Sequence, residues 1–337
     1  MLNSIRVTCA VKCNYFVATP HRKEGIMTAE ILEKVNVDKD NHEYLVKNYP
    51  SGSRFGLMKD VFLGRMGEVS KVNWIMLIFC LPVFAVLIYT SMLSAKNSVY
   101  APFSANFGIG YPVVSDAQAL YDKATFATSL TRTLLLLPCI AIGFVGLAGV
   151  FNVIKYQMLG VNVKIWKEFF KGVRNNWFVH LWLGAVAAAA YLLLEMSIQG
   201  FGVTDFPLGW KITLIVLSSL IMLVVLMFTM FIVTQSALYG MSIGKMIKNA
   251  ALFVKSFPVQ NLLIIIASSV PAALLMIMGD SFFLQILVIM ICTMLGFSYI
   301  GCIWTDYSHF VYYNIFTAAI EKANGKGKNK KRQDKVK

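Results

Sequence analysis

Six stretches of the chain are almost wholly apolar: Trp74 to Leu93, Thr133 to Val153, Trp177 to Ile198, Ile212 to Thr234, Leu262 to Met278 and Phe282 to Trp304. Each is close to the roughly 20 residues that a helix needs to cross the hydrocarbon of a bilayer. Glu195 is the one acidic or basic side chain inside them, His180 aside. With 57% hydrophobic and only 14% charged residues across 337, the composition is too apolar for a soluble domain. The predicted fold class is all-α, a polytopic membrane bundle of six transmembrane helices arranged as three hairpins.

A net charge of +14 suggests nucleic acid in a soluble protein, but here the cations sort by topology. With a cytoplasmic N-terminus, all but Lys96, Lys123, Arg132 and Lys211 of the 31 Lys and Arg residues fall on the inner side. The positive-inside rule then places both termini in the cytoplasm, with the lipid bilayer as the first partner and no nucleic acid expected. Trp74, Trp177, Trp210 and Trp304 lie at span boundaries, where an amphipathic ring is stable.

The inner segments share a character. In VKIWKEFFKGVRNNW, helical spacing puts Ile165, Trp166, Phe169, Phe170 and Val173 on one face and Lys164, Lys167, Glu168, Lys171 and Arg174 on the other. Such a helix lies in the membrane interface with its basic face toward anionic lipid headgroups. IGKMIKNAALFVKSFP repeats the theme, with Ile243, Met246, Ile247, Ala250 and Val254 opposed to Lys245, Lys248, Asn249 and Lys255. FGLMKDVFLGRMGEVSKVNW is a weaker copy, because Gly56, Gly64 and Gly67 lower its helix propensity. Each copy ends in residues that turn the chain, namely Asn73, Asn175 with Asn176, and Pro258 with Asn261. Three units follow, each a cytoplasmic amphipathic interfacial helix and then a transmembrane hairpin.

Within this pattern, GRMGEVSKVNWIMLIFCLPVF, GLAGVFNVIKYQMLGVNVKIWKEFFKGVRNNW and MIKNAALFVKSFP resemble the YesL-like bacterial membrane proteins, a domain of unknown function. The resemblance runs from about Gly64 to Pro258, with Phe169-Phe170 and Asn175-Asn176 as its best markers. It implies a bacterial plasma-membrane protein in the context of carbohydrate uptake, with an oligosaccharide import complex as partner. It supplies no mechanism, and the long outer segment Ala95 to Thr131 departs from compact members.

Glu195 raises the question of ion or substrate contact, because a carboxylate in a span is costly; lying within a turn of the outer end, it reads first as interfacial. Asp306 and His309, one turn apart beyond the sixth span, suit a polar pair or a solvated helix end. His180 reads as a packed or headgroup-facing residue. Gly143, Gly146 and Gly149 offer surfaces for close helix packing, as do Ala185 to Ala190. Pro82, Pro138 and Pro271 each free a backbone carbonyl within a span, which bends a packed helix or lines a cavity.

The chain divides into an N-terminal segment (1–53), a membrane domain (54–318) with outer loop 95–131, and a basic tail (319–337) expected to be disordered. Aromatic and Gly/Pro-rich, the outer loop suits a cap on the bundle or a surface for sugar or a partner. Lys23-Glu24-Gly25 can be encoded by a purine run resembling a ribosome-binding sequence just before Met27, so Met27 is expected to be the natural start; a flexible cytoplasmic tail is the alternative. The cysteines, Cys9, Cys13, Cys80, Cys139, Cys292 and Cys302, have no metal-site spacing and are expected as free thiols, with no metal or cofactor.

Membrane-protease, phosphate-loop and nucleophile-elbow motifs are absent from the sequence, so an enzyme is not expected. Three non-catalytic roles stand: accessory subunit of a membrane complex, transporter or permease subunit, and membrane organiser or sensor.

Overall fold

The computed structural model describes Val61 and residues 64–97, 117–158, 163–200, 206–239, 241–277 and 282–333, with side chains of the last helix described as far as Tyr312. Every regular element among these is an α-helix. In chain order they are α1 (Met66–Asn97), α2 (Ala117–Met158), α3 (Ile165–Gln199), α4 (Leu208–Leu238), α5 (Ile243–Ser256), α6 (Pro258–Ser268), α7 (Val270–Ile277) and α8 (Phe282–Gln333). Five of these, α1 to α4 and α8, are long and apolar enough to cross a membrane; α5 and α6, bent by 100° at Phe257, make a sixth if counted together.

Burial explains why a membrane is needed. The last third of α4, from Met227 to Leu238, is mostly buried, whereas its first turns expose Leu208, Trp210, Ile212 and Leu214. Outward-facing Leu81, Ile88 and Met92 on α1 continue this apolar surface, which in water would be an extensive hydrophobic patch. Two cores meet at one end of the bundle. One joins Phe231 of α4, Phe253 of α5 and Tyr312 of α8. The other joins Val72 and Met76 of α1, Val153 and Ile154 of α2, Phe169 of α3 and Cys302 of α8. Helix α8 therefore belongs to both cores and packs on α1, α2, α4, α6 and α7.

The most extensively packed helix pair is α2 with α3, antiparallel and held by small residues. A Cβ added to Gly184 would lie 2.7 Å from the Ala141 Cα, and one added to Gly172 would lie 2.7 Å from the Ala148 carbonyl oxygen. Asn152 strengthens the crossing by donating to the Glu168 carbonyl oxygen at 2.8 Å. Of the three glycines singled out in the sequence, Gly149 abuts the Phe169 ring and Gly146 abuts Met76 and Phe79, but Gly143 meets nothing within 4 Å. Gly143 is thus not a packing contact; it lies off the stripe that faces α1 and α3.

Several expectations change. Asn73 and Asn175-Asn176 do not turn the chain, since α1 and α3 run unbroken through them. The basic segment preceding the third span is continuous with that span, and α5 alone is a separate helix bent away from its successor. Residues 262–277, expected as one uninterrupted span, are divided by a one-residue break at Ser269 into α6 and α7. Proline explains the interruption: Pro271 has no N–H for the Ala267 carbonyl, and the Tyr299 hydroxyl of α8 donates to that oxygen instead, at 3.0 Å. Residues 117–131, expected within the outer loop, are the first turns of α2, and the basic tail continues α8 as helix to Gln333. The leader, residues 55–60 and 62–63 of the first basic copy, and residues 98–116 of the outer loop lie outside the described residues.

Candidate functional site

Polar and charged side chains gather at the two ends of the bundle. The end carrying most of the cations is formed where α2 and α4 finish, α3 begins and α5 turns into α6. There Lys155 of α2 reaches the last turn of α4 and donates to the Ala237 carbonyl oxygen at 2.9 Å. A cation at a helix C-terminus satisfies an orphan carbonyl and meets the negative end of the helix dipole.

Next to it lies the elbow at Phe257. Pro258 occupies the first position of α6, where its missing N–H costs nothing. One turn on, the buried Asn261 amide donates to the Phe253 carbonyl oxygen of α5 at 3.2 Å, and its own oxygen accepts from the Tyr307 hydroxyl of α8 at 2.7 Å. Trp304 donates its indole N–H to the Ser268 hydroxyl at 2.7 Å. Tyr299, Trp304 and Tyr307 thus grip α6 over about two turns of α8. The Tyr239 hydroxyl lies 2.9 Å from His309 Nδ1, and Tyr312 packs edge-on against Tyr239 and Phe253 with ring centroids 5.1 and 4.9 Å away. The elbow is a stack of rings threaded by hydrogen bonds, an arrangement that fixes angle and register.

On α5, Met246, Ala250 and Phe253 face the bundle while Lys245, Lys248 and Lys255 are exposed. Asn249, expected on the polar face, is instead fully buried, and its amide points to the Met241 sulfur at 3.7 Å. On α3 the aromatic face divides: Phe169 is fully buried against Gly149, whereas Trp166 and Phe170 are exposed and stack on each other at 6.0 Å. Lys164, Lys167, Lys171 and Arg174 are exposed beside them, Lys171 also pairing with Glu168 at 3.3 Å. His180 is fully buried and its Nδ1 lies 3.0 Å from the Asn176 carbonyl oxygen, so it is a packed residue and not one facing headgroups.

At the opposite end, Glu195 of α3 forms an ion pair with Arg132 of α2. Gln199 donates to the same carboxylate at 3.3 Å and Ser129 at 3.4 Å. A carboxylate near hydrocarbon is tolerable when paired in this way. Back at the cation-rich end, Asp306, half-buried on α8, is one turn from His309.

A fourth polar feature lies between α1 and α8. The Asn73 amide nitrogen donates to the Met294 carbonyl oxygen at 2.6 Å, and the Asn73 carbonyl oxygen accepts from the Ser298 N–H at 3.0 Å. Those two backbone groups are four residues apart, the two ends of one rung of the α8 ladder. Ser298 in turn donates its hydroxyl to the Val69 carbonyl oxygen at 3.2 Å. A single side chain of α1 therefore serves as a bridge in the backbone of α8.

Asn73 and Asn261 had suggested only chain breaks, and Ser268, Tyr239, Trp304 and Tyr307 carried no expectation of polar pairing. The available signal was a hydrogen-bonding side chain inside or beside an apolar run, which needs a partner in a membrane. Cys80, Cys139, Cys292 and Cys302 are free thiols, and no three His, Cys, Asp or Glu side chains among the described residues assemble as metal ligands would. No protein-family model, curated protein or solved structure matches this chain.

Proposed function

We propose that this chain is a non-catalytic multi-pass membrane protein that serves as an accessory subunit, holding a membrane partner through its bundle and its basic end. The observation that carries this reading is α5: its apolar side is fastened to the bundle by Met246, Ala250 and Phe253, and it presents Lys245, Lys248 and Lys255 outward from a fixed elbow. A rigid, cation-bearing helix set at 100° to its successor suits a docking element. The resemblance to YesL-like proteins makes an oligosaccharide import complex the proposed partner, and the bacterial plasma membrane, with both termini cytoplasmic, the proposed location. The finer architecture proposed is three hairpins, with the basic starts of α3 and α5 lying at the cytoplasmic interface.

A second reading, a permease subunit in its own right, draws on the interruption between α6 and α7. Discontinuous helices near proline line transport pathways in many carriers. Purification from mild detergent, with crosslinking from Lys245, Lys248 and Lys255 and mass spectrometry of the linked chains, separates the two. Links to other membrane subunits support the accessory role; links to an ATPase support the permease. Behaviour altered by lipid composition alone, with no linked chain, would favour a membrane organiser or sensor.

A further inference from the structure

The outward surface of α3 at its first turns has a composition that neither a water-facing nor a wholly lipid-facing helix needs. Lys167, Lys171 and Arg174 are all exposed, and they fall on one side of the helix at spacings of four and three. Beside them the exposed Trp166 and Phe170 rings stack 19° from parallel. One turn beyond Arg174, Trp177 and Phe178 are again exposed, at 51% and 57%, and meet edge to face. Going down the helix, cations give way to rings over about 10 Å, the depth over which a bilayer passes from phosphate to acyl chain.

From this surface we infer a binding site for an anionic phospholipid: the headgroup phosphate is held by Lys167, Lys171 and Arg174, and the acyl chains lie along Trp177 and Phe178. Charge complementarity selects the headgroup. The nearest carboxylate, Glu168, is paired with Lys171 and leaves the group with a net positive charge. Aromatic side chains select a lipid over a soluble phosphate, because their exposed faces have no use in water. The cations are presented with little freedom, since the opposite side of the same turns is clamped to α2 through Phe169, Gly172 and the bond from Asn152 to the Glu168 carbonyl. This site does not depend on the identity of any protein partner.

The test uses the full chain in phosphatidylcholine vesicles doped with phosphatidylglycerol, with tryptophan emission quenched by brominated acyl chains placed on one lipid or the other. Bromine on phosphatidylglycerol is expected to quench more than the same mole fraction on phosphatidylcholine. A K167Q/K171Q/R174Q variant, altered only at exposed positions, is expected to lose that preference by roughly fivefold for each cation removed. K245Q/K248Q/K255Q serves as the control and should retain it. Equal quenching by both lipids in the unmodified protein would overturn the inference, as would a preference that survives the α3 substitutions or disappears with the α5 set. Inorganic phosphate at millimolar concentration is expected to leave the preference intact; displacement by it would mean that the cations bind free phosphate and not a lipid. Circular dichroism of the α3 variant confirms that its helix content is unchanged, and loss of helix would transfer the test to R174Q alone.

Discussion

At the scale of single residues, the membrane places most of the weight on a few amides. Asn73 is fully buried and contacts both ends of one rung of the α8 ladder, so its removal takes a hydrogen-bond partner from the Ser298 N–H and from the Met294 carbonyl. Asn73→Leu is expected to lower the unfolding temperature in detergent, at a cost of about 1–3 kcal/mol. Asn73→Asp should cost more, because its carboxylate keeps the acceptor but turns a second negative oxygen toward the Met294 carbonyl. Thermal unfolding followed by circular dichroism measures both, and an Asn73→Leu protein that melts with the wild type would show that the bridge contributes no stability. Composition at this position says only that an amide borders an apolar run; its partners are 221 and 225 residues away, beyond the reach of any local pattern. Glu195 was more legible. Its cost in a span demands compensation, and Arg132, read as an outer cation, supplies it.

At the scale of elements, helix existence followed from hydropathy, while breaks and close approaches did not. Asparagine pairs favour helix ends in isolation, but in α3 the surrounding apolar faces pack continuously on α2 and override that preference. Proline kept its local meaning at Pro258 and Pro271, since no packing replaces a missing N–H. Glycine was half legible: the stripe on α2 was visible, but the partner glycines on α3, Gly172 and Gly184, were not identified. Gly184→Leu and Gly172→Leu are expected to destabilise by about 1–3 kcal/mol or more, because the atoms in the way include backbone of α2 beside the Phe144 and Asn152 side chains, whereas Gly143→Leu should leave stability nearly unchanged. Unfolding temperatures of the three variants, measured side by side, check the assignment of the α2–α3 interface.

At the scale of the whole molecule, the expectation is a sidedness that charge alone dictates. Single cysteines introduced at Lys171, Lys248 and Lys211 should react with a membrane-impermeant maleimide from the same side for the first two and from the opposite side for the third, measured in intact cells against inverted vesicles, with the native protein as baseline. Reaction of Lys171→Cys and Lys248→Cys from different sides would break the proposed arrangement of hairpins. The apolar character of the five long helices was legible because a bilayer imposes its thickness on every helix that crosses it, whereas the expected fifth span was not met as one continuous helix, and a sixth arises only if α5 and α6 are counted together. The turn at the elbow was legible in Pro258 with Asn261; its polar pairing was not, since its rings and amides come from α4, α5, α6 and α8 and acquire a purpose only when these are assembled.

The bridge from Asn73 to α8 also sets an order of events. The amide and its two backbone partners are 221 and 225 residues apart, so α1 is synthesised well before the rung it touches. The contact can close only once α8 has been translated, which makes the joining of the first described helix to the last a late event in assembly.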